Sequence, residues 1–137
     1  MTATNAPARP APPINELSRP YWDAAAQGRL VLQCCAACGK TRHYPRLLCD
    51  HCFSDATTWR AASGRGKLHS WTVSHHAFHP AFKDELPYVL VTVDLDEGVR
   101  ALGRWQGPAE MTIGQPVQGV FHAREGGVDL VFTAHPG

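Results

Sequence analysis

CCAACGKTRHYPRLLCDHC, the stretch from Cys34 to Cys52, sets the fold of this chain. It holds all five cysteines of the chain. Four of them form two Cys-x-x-Cys pairs ten residues apart, Cys35 with Cys38 and Cys49 with Cys52. One such turn presents two thiolates to one ion, and zinc takes four sulfur ligands in a tetrahedron. The sequence therefore predicts a zinc ribbon whose closed four-cysteine shell is structural and leaves no open coordination position for catalysis.

A disulfide or redox role fits these cysteines less well. A disulfide framework requires an exported chain, and a redox dithiol needs a single Cys-x-x-Cys near a βαβ pattern rather than two facing pairs. Cys34 is left over as a free, half-buried thiol. His51 could replace one ligand, although a solvent-facing side chain is expected there. Gly39 follows the first pair, where a knuckle often needs a positive φ, but Phe53 follows the second, so a less regular second knuckle is expected.

Composition and charge narrow the functional classes. The chain has 137 residues, enough for one domain or two small modules. Its formal net charge of +1 argues against a non-specific nucleic-acid binder. The longest apolar stretch, YVLVTVDL, is too short to span a membrane. The N-terminus shows no apolar segment of a signal peptide, and zinc-binding thiols must stay reduced, so we expect a cytoplasmic protein.

Three segments follow one another along the chain. Residues 1–14 are rich in alanine and proline and are predicted to be a disordered tail. Residues 15–62 are predicted to form a helix and the zinc ribbon, with Ser18 as the helix cap and Gly28 as its stop. Residues 63–137 alternate between β-forming runs and turns, giving five strands and no long helical pattern. Closure removes exposed edges, so we expect a five-stranded OB-type antiparallel barrel, with an SH3-like barrel as the second choice.

The loop between the first two barrel strands is long and rich in aromatic and histidine residues. It contains His75, His76, Phe78, His79 and Phe82. Loops with exposed aromatic side chains often carry binding, so a flap that lines a ligand or partner surface is the preferred functional interpretation. Two alternatives stay open: a second metal site made by the three histidines, and phenylalanines that fold back onto the barrel.

Taken in order, these motifs resemble the OB-fold proteins with an N-terminal rubredoxin-like zinc ribbon that accompany acyl-CoA enzymes. The resemblance covers about residue 16 to the C-terminus and rests on PYWDAAAQGRLVLQCCAACG, YPRLLCDHC, SGRGKLHSWTVSH and LPYVLVTVDLDEGVRALG. It implies a small accessory subunit that pairs with a thiolase-like partner, in a thiolase, aldolase or hydratase, and helps to form its acyl-CoA site. It also implies a hetero-oligomer that can contain a dimer of this subunit. Phe53 and Cys34 depart from the family pattern, which usually has glycine and often has arginine at these positions.

The chain shows no catalytic set of its own. Four cysteines are assigned to zinc, and Cys34 has no evident base beside it, which a thiolase nucleophile would need. Basic residues that could meet CoA phosphates are candidates by charge alone: Lys67, Lys83, Arg100 and Arg104. Two further hypotheses stay open. One is a nucleic-acid-binding module, since zinc ribbons and OB barrels often bind nucleic acid, and the other is a free-standing acyl-CoA carrier.

Overall fold

The computed structural model describes residues 8–136 and consists of a small ribbon sheet and a closed barrel. The ribbon region contains α1 (Arg19–Ala26), β1 (Val31–Cys35), β2 (Thr41–Arg42) and β3 (Thr57–Ala61). The barrel contains β4 (Arg65–Ser74), a 3-10 helix (Pro80–Glu85), β5 (Tyr88–Leu95), β6 (Arg100–Trp105), β7 (Pro116–Arg124) and β8 (Gly127–Ala134). None of the helices in this described part is long and apolar enough to cross a membrane.

The ribbon sheet has the order β2-β1-β3 and is antiparallel throughout. Every residue of β1 is buried, because α1 packs on the ribbon sheet through its apolar side. Ser18 occupies the N-cap position of α1, but its hydroxyl accepts from the amide of Asn15 and makes no cap bond to the helix. Gly28 follows the helix with a φ of 77°, the left-handed conformation expected of a helix stop.

The mainly β fold with a closed five-stranded barrel confirms the predicted fold class. The strand order is β4-β5-β6-β8-β7, and β7 closes onto β4. The expectation that every pairing is antiparallel is wrong at one place, since β6 and β8 run parallel through Arg104–Val131 and Trp105–Phe132. The reason is topological: strand direction cannot alternate around a closed ring with an odd number of strands. At least one neighbouring pair must therefore run parallel.

The barrel core is centred on Phe132, whose side chain is fully buried. Gly103 and Gly119 lie against its ring, and a Cβ atom on either residue would stand 2.7 Å from a ring carbon. Such a distance is far below van der Waals contact, so glycine at these two positions makes room for the large ring. Leu68 and Val91 complete the packing around it.

Residues 8–18, the described part of the segment before α1, form no helix or strand but contact the barrel. The predicted tail lies partly outside the described residues, since residues 1–7 are not included. Within the described part, Arg9 forms ion pairs with Glu85 and Asp129. The ribbon sheet ends at Ala61 and the barrel begins at Arg65, and the division into three segments remains a prediction.

Candidate metal centre and the adjoining cleft

The fold brings the four predicted ligands together. The Sγ atoms of Cys35, Cys38, Cys49 and Cys52 all lie within 4.8 Å of one another. Between the two pairs, the Sγ atoms of Cys35 and Cys52 are 3.5 Å apart and those of Cys38 and Cys49 are 3.6 Å apart. A zinc ion with Zn–S bonds of about 2.3 Å separates neighbouring sulfurs by about 3.8 Å, so the arrangement fits tetrahedral zinc. All five cysteines of the chain are free of disulfides.

The two knuckles have the same backbone geometry. The amide of Gly39 donates to the carbonyl of Cys35 at 2.9 Å, and the amide of Phe53 donates to the carbonyl of Cys49 at 2.9 Å. Both donors are left-handed, with φ of 81° at Gly39 and 64° at Phe53. The expectation of a less regular second knuckle is therefore wrong. Phe53 adopts a conformation that costs a non-glycine residue about 1–2 kcal/mol.

Backbone amides in the knuckles favour the thiolate form of two ligands. A hydrogen bond from the amide of Cys38 is the main cause that lowers the pKa of the Cys35 thiol, to about 6. In the second knuckle, hydrogen bonds from the amides of Cys52 and His51 lower the pKa of the Cys49 thiol. Thiolates are the form of cysteine that binds metal, so these amides stabilise the metal-binding form of two of the four ligands.

Two neighbouring residues lie outside the ligand set. Cys34 is buried rather than half-buried, and its Sγ donates to the carbonyl of Gly39 at 3.3 Å. His51 is exposed, as expected from the sequence, and is not among the grouped ligands. Neither residue is needed to complete a four-ligand shell.

An apolar cleft of about 330 Å³ lies where the ribbon region meets strands β5, β6 and β8 of the barrel. The residues Tyr21 and Trp22 of α1 form one wall, and Tyr44 from the link between the knuckles forms another. The hydroxyl of Tyr44 accepts a hydrogen bond of 2.8 Å from the amide of Leu102 in β6. This bond ties the ribbon to a part of β6 that lies beyond its two-residue pairing with β8.

The histidine-rich loop divides its aromatic residues between two environments. Phe82 packs back onto Tyr88 of β5 at a ring distance of 5.9 Å, whereas Phe78 is 90% exposed. Nδ1 of His79 accepts from the amide of Ala81 and caps the 3-10 helix. Among residues 8–136, the grouped metal-binding side chains include none of the three histidines, so the second metal site is not formed. The loop is held against the barrel through Phe82 and presents the exposed rings of His75, His76 and Phe78.

A cluster of charged side chains lies beside the cleft. Glu85 pairs with Arg9 and Arg104, and Asp129 pairs with Arg9 and Arg124. Burial opposes ionisation of Glu85, but the two arginines outweigh it and lower the pKa of its carboxyl. The cluster thereby joins the N-terminal segment, the histidine-rich loop and the barrel.

The four basic residues that were candidates for contact with CoA phosphates lie in different places, and one of them is at the cleft. Arg104 lines the cleft, while Arg100 pairs with Asp94 at 2.7 Å on an exposed surface. Lys67 and Lys83 are exposed. Sequence reasoning missed Tyr44, Glu85 and Arg9. Tyr44 entered only as part of the YPRLLCDHC motif, Asp84-Glu85 is a carboxylate pair typical of solvated charge, and Arg9 lies in a segment whose composition indicates disorder.

Comparison with known proteins finds a family for both the zinc ribbon and the barrel. Residues 22–58 match the model of the ChsH2 rubredoxin-like zinc ribbon domain, and residues 59–122 match the model of the ChsH2 C-terminal OB-fold domain. The chain belongs to the ChsH2/DUF35 family. A DUF35 domain-containing scaffold protein from Methanothermobacter thermautotrophicus is 33% identical over 72% of this chain and 77% of its own length.

Other members of the family are parts of larger enzymes. A probable enoyl-CoA hydratase alpha subunit from Thermomonospora curvata is 44% identical over 80% of this chain, and a 3-oxo-4,17-pregnadiene-20-carboxyl-CoA hydratase alpha subunit from Mycobacterium tuberculosis is 34% identical over 74%. The chain spans only about a third of the length of these two subunits, 34% and 32%. A chain of the solved Ltp2-ChsH2(DUF35) aldolase superposes with a TM-score of 0.80 and 39% identity. That alignment covers 90% of this chain and 98% of that one.

Proposed function

We propose that this ChsH2/DUF35 chain is a non-catalytic, zinc-containing accessory subunit that binds a thiolase-like enzyme and helps to form its acyl-CoA site. The observation that carries the proposal is the similarity to a whole chain of the Ltp2-ChsH2(DUF35) aldolase, with 98% of that chain covered. Family members named as scaffolds support the same role. The partner's reaction would be an aldolase, thiolase or hydratase step on a CoA thioester.

Exposed apolar residues on the ribbon support docking to a protein. In the link between the knuckles, Leu47 and Leu48 are 67% and 48% exposed, and Tyr44 is also exposed. Phe53, directly after the last ligand, is 74% exposed although its backbone is left-handed. Large apolar side chains grouped on a small surface are typical of binding sites. We expect the ribbon to contribute to the contact with the enzyme subunit.

The proposed zinc ion would be structural. Cys35, Cys38, Cys49 and Cys52 would hold it, and the ion would supply cross-linking of the two knuckles rather than chemistry. The ribbon sheet has a two-residue strand at one edge and little core of its own, so the metal is expected to contribute much of its folding free energy. Because these ligands must stay reduced, we place the protein in the cytoplasm.

To test the proposal, the tagged chain is purified from its own cells and the protein that copurifies with it, its companion, is identified. The activity of the companion on acyl-CoA is then measured with and without the chain. Leu47→Glu should lose the companion, because a charge would be buried at the contact. Ile113→Glu is the matched control, since Ile113 is also 67% exposed but belongs to the barrel.

The proposal is contradicted if the companion is fully active alone, or if both variants behave like wild type. Recovery of nucleic acid instead of an enzyme, released steeply by salt, would favour the nucleic-acid-binding alternative.

A further inference from the structure

A second cavity of opposite character adjoins the apolar cleft. The second cavity measures about 250 Å³ and is lined mainly by polar side chains. Arg104 and Asp129 line both cavities, so the two spaces are adjacent. An apolar space that opens onto charged groups is suited to a ligand with an apolar body and a charged end.

The charge of the second cavity is positive. Three guanidinium groups, those of Arg9, Arg104 and Arg124, meet two carboxylates, those of Glu85 and Asp129. Each carboxylate is shared by two arginines, so one positive charge has no counter-ion within the cluster. The side chains involved are only 19–30% exposed. Water therefore screens this charge only in part, and an anion would be attracted to it.

Arg104 has hydrogen-bond donors left for such an anion. Its guanidinium stacks over the Tyr88 ring, 4.7 Å from the centroid, and donates to Glu85 at 2.9 Å. A guanidinium group carries five N–H donors, so this single bond leaves most of them available. Because Arg104 stands at the junction of the cavities, a ligand anion placed there would leave its apolar part in the cleft.

The cleft surface suits a hydrocarbon group. Its floor includes three leucines, Leu90 of β5, Leu102 of β6 and Leu130 of β8. Leu102 is 49% exposed, which is a large apolar exposure for a strand residue. Covering these residues would remove apolar surface from water, which drives binding in a preformed cleft.

We propose that the apolar cleft and the arginine cavity form one binding site for an amphipathic organic anion, with its hydrocarbon body on Leu102 and its carboxylate or phosphate at Arg104. The site lies within this chain alone and does not depend on a partner enzyme. It is therefore distinct from the proposed role in an assembly. Carboxylates and phosphates share the chemistry that a guanidinium recognises, so the probes must include both.

To test the proposal, the zinc-loaded full chain is titrated with decanoate, decyl phosphate, decanol and decanoyl-CoA. Binding is followed by NMR through the backbone amide signals of Leu102 and Gly103 and the indole signal of Trp22. The two terminal anions should bind at least roughly tenfold more tightly than decanol, because a charge-assisted hydrogen bond adds about 1.5 kcal/mol or more. Decanoyl-CoA should bind more weakly than the two terminal anions, because the pantetheine arm that follows its thioester keeps the anionic phosphates far from the hydrocarbon chain.

Variants separate the two halves of the site. Arg104→Gln should remove the preference for the anions, and Arg104→Lys should restore part of it, which a merely structural role would not do. Leu102→Glu should weaken all four ligands, whereas Leu47→Glu, on the ribbon and outside the cleft, should not. Equal binding of decanoate and decanol, unchanged binding by Leu102→Glu, or tightest binding of decanoyl-CoA would each overturn the proposal.

Discussion

His43 lies in the link between the two knuckles and should make stability depend on pH. Its ring centroid is 3.9 Å from that of Tyr44 and 5.5 Å from that of Tyr21. Both of its ring nitrogens are buried without a hydrogen-bond partner. Burial lowers the pKa of His43 from 6.5 to about 4. The histidine is therefore neutral in the folded protein at all but acidic pH.

Linkage between proton binding to His43 and folding gives the sign and size of the change in unfolding free energy with pH. Above pH 6.5 the imidazole is neutral in both states, and its contribution to stability is fully present. As the pH falls, the unfolded chain binds a proton that the folded protein does not bind, so stability is lost until the folded pKa of about 4 is reached. With about 1.4 kcal/mol per pKa unit, the loss between about pH 7.5 and about pH 5.5 is about 1.3 kcal/mol.

The assay measures urea unfolding of zinc-loaded wild type and His43→Phe at both pH values. The difference between the two proteins is the quantity compared, because protonation of the zinc ligands affects both equally. His43→Phe should lose about 1.3 kcal/mol less than wild type over this range. His75→Phe, at an exposed position, is the control and should follow wild type. Equal losses in wild type and His43→Phe would refute the assignment of a buried neutral histidine.

Three further predictions concern stability and metal binding. Phe53→Gly should stabilise the isolated chain by about 0.5–1 kcal/mol in thermal unfolding, because it removes left-handed strain. Phe53→Ala loses the ring but keeps the strain, so it should not stabilise the chain. A Phe53→Gly variant with the stability of wild type would contradict this. Cys49→Ala should abolish zinc binding and unfold the ribbon, whereas Cys34→Ala should bind one zinc per chain as measured by elemental analysis, and loss of zinc from Cys34→Ala would disprove the ligand assignment. Gly119→Ala should cost about 1–3 kcal/mol by calorimetry, because its Cβ would overlap the Phe132 ring, and a neutral effect would show that the core is loosely packed.

The sequence predicts well those features that depend on residues close together along the chain. The spacing of the two Cys-x-x-Cys pairs predicts both the ribbon and its four grouped thiols. The five strands follow from short β-forming runs between turns such as Asp96-Glu97-Gly98, and the strand count needs no knowledge of which strands pair. The family resemblance adds the OB topology and the acyl-CoA context, which neither composition nor spacing contains.

Long-range contacts account for what the sequence did not show. Arg9 bonds to residues 76 and 120 positions away, and nothing in an alanine- and proline-rich segment marks such partners. The parallel β6–β8 pairing likewise depends on barrel closure and not on either strand alone. Phe53 follows the second knuckle, and its left-handed backbone shows that the fold imposes this geometry even on an unsuitable residue.

Native mass spectrometry of the tagged chain, purified gently from its own cells, reports bound metal and protein partners in one spectrum and so tests the zinc centre and the accessory-subunit role together. We expect one zinc ion per chain and a companion of the size of a thiolase-like subunit. A folded chain with zinc and no companion under any gentle condition would contradict the accessory-subunit role. A folded chain without zinc would contradict the four-cysteine metal centre itself.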